Sequence, residues 1–171
     1  MLRFVRLIKM GMLAALILGM PAKGAEQGTD ISLTIMASQV SWSDSQYVGH
    51  AFLCIGLRLK SGVKEDCLGF YPASIKSFIG GPGVVDSEFS SKRPDHWANV
   101  TISVQKDITA EQRKAIYKAA DDYNAHGYRL TDSNCIDFAD RVAQIAGWHR
   151  PQRASLQFPV DYVAKLKALN P

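Results

Sequence analysis

Apolar and β-branched residues crowd Ile31 to Ser41 (ISLTIMASQVS), and the segment predicts a strand. Trp42 to Tyr47 is polar between its aromatic ends and predicts a loop. Gly49 to Arg58 (GHAFLCIGLR) predicts a second strand, and Lys60-Ser61-Gly62 is a turn signal. Lys64 to Tyr71 then returns as a third strand, antiparallel to the second. From Pro72 the pattern is lost. Gly80-Gly81-Pro82-Gly83 lies in that stretch and predicts a loop. Asn99 to Gln105 alternates and predicts another strand.

The period then changes. Thr109 with Gln112 three residues on fits a capping box, and the helix it opens should run to about Ala125, with His126-Gly127 ending it. Tyr128 to Leu130 reads as a short extended piece. Asp132 or Ser133 should cap a second helix from Asn134 to Ala146, apolar at Ile136, Phe138, Ala139, Val142 and Ile145 and stopped by Gly147. Phe158-Pro159 should open a last helix through Tyr162, Val163, Leu166 and Leu169. Strands first and helices later is the order of an α+β fold.

The N-terminus has a different character. Arg3, Arg6 and Lys9 precede an uncharged apolar run, Met10 to Met20, and small residues follow at Ala22, Gly24 and Ala25. This is the layout of a secretory signal over residues 1–25. The run is about half the roughly 20 residues a membrane span needs. The expectation is a periplasmic or secreted protein with one domain over 26–171 and no stable membrane span once the signal is removed. The formal charge of +4 depends on that segment: without Arg3, Arg6, Lys9 and Lys23, 16 basic residues face 16 acidic ones. A near-neutral chain argues against a nucleic-acid partner. Nothing in the sequence sets the oligomeric state.

Three cysteines remain in an exported chain: Cys54, Cys67 and Cys135. Cys54 and Cys67 fall on one hairpin, where they either pair or sit as small buried residues. Cys135 stands where a helix begins, and unpaired N–H groups there favour a thiolate and can hold an oxyanion. The polar lead-in Asp132-Ser133-Asn134 argues against a deeply apolar setting. His50 opens the second strand behind Gly49, on one face with Phe52 and Cys54, and histidine is the usual base for a thiol. His96, His126 and His149 are weaker rivals with easy structural or surface places. A third group should orient the imidazole. If Cys54 faces Cys67, Tyr71 faces His50, so Tyr71 is the first choice, with Asp66 and Ser74 behind it. No short paired spacing of His or Cys suggests a metal site, and Gly80 to Gly83 lacks the Lys-Ser/Thr of a phosphate loop; no cofactor is expected.

The set Gly49-His50-Ala51-Phe52, Gly69-Phe70-Tyr71-Pro72, Gly81-Pro82-Gly83 and Asn134-Cys135 resembles the circularly permuted papain-like (NlpC/P60-like) cysteine hydrolases, whose relatives include LRAT-like proteins. The resemblance covers roughly residues 31 to 170. It implies that Cys135 is the nucleophile, that His50 is the base, and that the third polar residue lies on the strand after the histidine. LRAT-like members often have a second histidine there, and this chain has none between 51 and 95. The implied activity is hydrolysis of a peptide or amide bond, with a peptide or cell-wall substrate such as peptidoglycan stem peptides. A lipid acyltransferase or phospholipase, and a non-catalytic binding domain on the same fold, stand as alternatives.

Overall fold

The computed structural model describes residues 30–39, 49–59, 61–90 and 99–171. The signal-like segment, the Trp42–Tyr47 loop and His96 lie outside them. Among the described residues, six strands form one antiparallel sheet: β1 (Ile31–Ser38), β2 (His50–Leu59), β3 (Gly62–Pro72), β4 (Gly81–Ser87), β5 (Val100–Asp107) and β6 (Gly127–Tyr128), in the order β5-β1-β2-β3-β4-β6. A short 3₁₀ helix, Ile75–Ile79, links β3 to β4. The described residues also form three α-helices: α1 (Ala110–Tyr123), α2 (Cys135–Ile145) and α3 (Pro159–Ala168). The fold is α+β, and among the described residues no helix is long and apolar enough to cross a membrane.

Alternation divides the sheet into two unlike faces. Leu33, Ile35 and Ala37 of β1, Ala51, Leu53 and Ile55 of β2, and Phe70 of β3 join one large core with Ile116 and Ala120 of α1, Cys135, Ile136, Phe138 and Ala139 of α2, and Tyr162, Val163 and Leu166 of α3. The opposite face carries a smaller cluster, Met36, Phe52, Cys54 and Cys67. Cys54 pairs with Cys67 in the ladder, and the two are joined by a disulfide. The free cysteine is Cys135.

Local chemistry explains most element ends. Thr109 Oγ1 accepts the Gln112 N–H, and the Gln112 side chain accepts the Thr109 N–H, closing the capping box. α1 ends earlier than its sequence suggests, at Tyr123 with Asn124 as C-cap, because Gly127 is drawn into β6 against Pro82. The N-cap of α2 is Asn134, not Asp132 or Ser133. Asn134 Oδ1 accepts the Ile136 N–H at 2.8 Å, and Asp137 Oδ2 accepts the Asn134 N–H at 2.9 Å. Ser133 instead donates to the Gly127 carbonyl.

The largest departure is β4. Gly81-Pro82-Gly83 is not a loop; it begins a strand that pairs Phe70 with Val85 and Pro72 with Gly83. Glycine is needed at 83 because the Phe70 ring lies where a Cβ would be. A strand built to admit a neighbouring ring looks like a turn when read by composition.

Candidate active site

β2 and β3 pair from Leu59–Gly62 as far as Phe52–Gly69. The same register continued by two residues sets His50 across from Tyr71, and their rings stack with centroids 4.3 Å apart. His50 also stacks on Phe52 at 5.9 Å, so its ring lies on the disulfide face of the sheet. Ser38 fixes the strand end by accepting the His50 N–H at 3.1 Å.

Glu88, just beyond β4, completes this cluster. Its N–H donates to the Cys67 carbonyl at 2.9 Å, which places it beside β3. Glu88 Oε1 lies 3.3 Å from His50 Nε2, and the Tyr71 hydroxyl donates to the same oxygen. All three residues are buried, Glu88 to 2% exposure. A buried carboxyl is costly unless hydrogen-bonded, and these two contacts satisfy it. Gly69 makes the arrangement sterically feasible: a Cβ there would collide with Glu88 Oε1, His50 Nε2 and Tyr71.

Sequence reasoning missed Glu88. It had made Tyr71 the group that orients the imidazole, whereas the ring nitrogen meets the Glu88 carboxyl and Tyr71 acts on that carboxyl and on the ring face. The two reserve choices serve elsewhere. Asp66 accepts the Tyr117 hydroxyl at 2.7 Å, and Ser74 bonds Ser77. His126 is occupied with the Asp122 carbonyl, and the His149 backbone binds Asn170.

Cys135 opens α2, and α2 packs on the other face of the sheet. Its thiol lies against the backbone N–H of Ala51, the residue directly after His50. The structure thus brings the cysteine helix to the end of the strand that the histidine opens. The thiol approaches that end from the Ala51 side, and the imidazole stacks on the Phe52 side.

The thiol is not the activated group its helix position suggests. Burial pushes it up to about 11, and this outweighs the lowering by the N–H groups of Ala51 and Ile136 and by Arg153. Cys135 is 5% exposed despite its polar lead-in, because Asn134 and Ser133 spend their polarity on capping and on Gly127. Arg153 was also missed. It holds Asp137 through Nε at 3.0 Å and Nη2 at 3.1 Å, and reaches Asn134 Oδ1 at 3.3 Å. Among the described residues no cluster of His, Cys, Asp and Glu could hold a metal ion.

The fold has a counterpart in TseH. That crystal structure, of a type VI secretion system effector, matches with a TM-score of 0.53 over 83% of this chain and 90% of the TseH chain. Identity with TseH is 14%, so the likeness shows a shared fold alone. No family model matches the chain, and no curated protein matches it in sequence.

Proposed function

We propose that the protein is an exported thiol hydrolase that cleaves a peptide or amide bond, with Cys135 as nucleophile and His50 as base. The observation that carries this reading is the meeting of the α2 N-terminus with the strand end at His50, whose Nε2 faces a buried carboxyl. Glu88 beside Nε2 supports the imidazole in its charged form. The resting thiol is protonated, so in this reading attack begins with transfer of the thiol proton to the His50 imidazole as substrate binds. The sulfur then adds to the acyl carbon, the protonated imidazole passes its proton to the leaving amine, and water cleaves the acyl-enzyme. Asn134 already occupies the Ile136 N–H and the N–H of residue 137. The oxyanion therefore falls to the N–H groups of Cys135 and Ala51.

The substrate class proposed is the stem peptide of peptidoglycan. It rests on the signal-like N-terminus and the resemblance to NlpC/P60-like hydrolases, and a fold shared with a secretion-system effector is compatible with it. The test is digestion of purified sacculi with the wild type and with Cys135→Ala. New peptide ends released by the wild type alone are expected; identical products from both overturn the reading.

A second reading is favoured by the buried, protonated thiol: a non-catalytic binding domain that keeps the fold. Iodoacetamide separates the two. Labelling at neutral pH faster than a free thiol, and slowed at least tenfold in His50→Ala, supports the enzyme. Labelling no faster than a free thiol, and indifferent to His50, supports the binding domain.

A further inference from the structure

The chain between α2 and α3 is strapped along α2 by charged pairs. Arg150 reaches Asp140, and three residues later Arg153 reaches Asp137 and Asn134. The strap therefore climbs toward the end of α2 that carries Cys135. It then reverses, since Tyr162 of α3 donates to Asp140 again at 2.9 Å. Gln157 lies in the reversal. Its backbone neighbour Leu156 holds φ at +56°, a left-handed conformation that a non-glycine side chain rarely adopts. Both polar atoms of the Gln157 amide are buried and have no hydrogen-bond partner among the described residues.

A buried carboxamide with neither donor nor acceptor satisfied is rare in a folded chain, and removing one normally improves stability. Here it is kept at the turn of a strained strap, four residues beyond the arginine that holds the Cys135 end of α2. We infer that the Gln157 amide is a substrate-recognition group that pairs with a peptide group of the bound chain. A primary amide offers one acceptor and two donors, which complements the N–H and C=O of a single peptide unit. The exposed residues 154–156 are the part of the strap that yields to admit it. This rests on the peptide-hydrolase reading and adds to it the group that reads the substrate backbone. Gln157 is a binding residue in this scheme and takes no part in proton transfer.

The experiment compares the wild type with Gln157→Met, which keeps the volume and removes both polar atoms. Two quantities are read: the thermal midpoint of the free protein, and the affinity for a soluble peptidoglycan stem tetrapeptide by calorimetry. Gln157→Met should raise the midpoint and weaken tetrapeptide binding at least fivefold. A lower midpoint means that the amide is already satisfied within the fold and overturns the inference. Equal binding by the two proteins overturns it while leaving the peptide-binding reading intact. Absence of binding to the wild type overturns the stem-peptide reading, and this inference with it. Gln157→Glu, which keeps the acceptor and loses the donors, should also bind the tetrapeptide more weakly than the wild type, and binding equal to the wild type overturns the inference.

Discussion

The two faces of the sheet are held by different physics. The helix-side face is a continuous apolar core of Leu33, Ile35, Leu53, Phe70, Phe138 and Leu166, all fully buried. The other face buries Phe52 and Met36 beside a disulfide and a polar trio, His50, Glu88 and Tyr71. The first face stabilises by removing apolar area from water. The second satisfies buried polar groups mutually, which contributes little net energy but fixes geometry. The proposed nucleophile, Cys135, belongs to the first and the proposed base, His50, to the second. That division explains why one candidate is desolvated while the other is ringed by polar contacts.

Mutation can break or sharpen this contrast. Phe138→Ala, at the centre of the helix-side core, should cost about 3–5 kcal/mol in urea unfolding. Replacing Cys54 and Cys67 together by Ala should cost roughly 3 kcal/mol by opening a loop with a sequence separation of 13. A loss larger than that for Phe138→Ala would make the disulfide face the main stabiliser and refute the division. Gly69→Ala should cost about 1–3 kcal/mol from overpacking, and should abolish sacculus digestion because the new methyl displaces Glu88 and His50. Full activity in Gly69→Ala would show that the polar trio is dispensable.

The smallest effect concerns pH. A thiol whose folded value is raised from 9.0 to about 11 contributes stability that is present below the unfolded value and is lost as pH rises toward 11. Cys135→Ala should therefore lose less stability than the wild type between pH 8 and 10.5, as read from urea midpoints. Tyr162 is likewise raised by burial and titrates in both proteins, whereas Tyr128 is raised by burial and also by Cys135, so part of its contribution goes with the thiol. Equal alkaline losses would mean that the thiol is more solvated than its position indicates.

Much of the scaffold was legible in the residues because it is local. The Thr109–Gln112 box, the apolar stripe of α2 and the turn at Gly62 are encoded within a few positions each. The Cys54–Cys67 register was legible once the two strands were recognised, and it correctly set Tyr71 beside His50. Glu88 was not legible. Its place depends on β4, and β4 is disguised by Gly81-Pro82-Gly83, whose small residues serve the Phe70 ring and β6 instead of a turn. The state of Cys135 also escaped the sequence. A helix start lowers a thiol's pKa only when solvent or a charge helps, and the burial that reverses the sign comes from strands far away in the chain.

The order of the cysteines along the chain has a consequence for assembly. Cys54 and Cys67 lie close in sequence on adjoining strands, so a chain emerging N-terminus first presents both before Cys135 appears. The nearest thiols can close on each other while the helices are still to come. If that pair closes first, the last sulfur arrives with its two rivals already consumed, and the sheet it folds onto covers it.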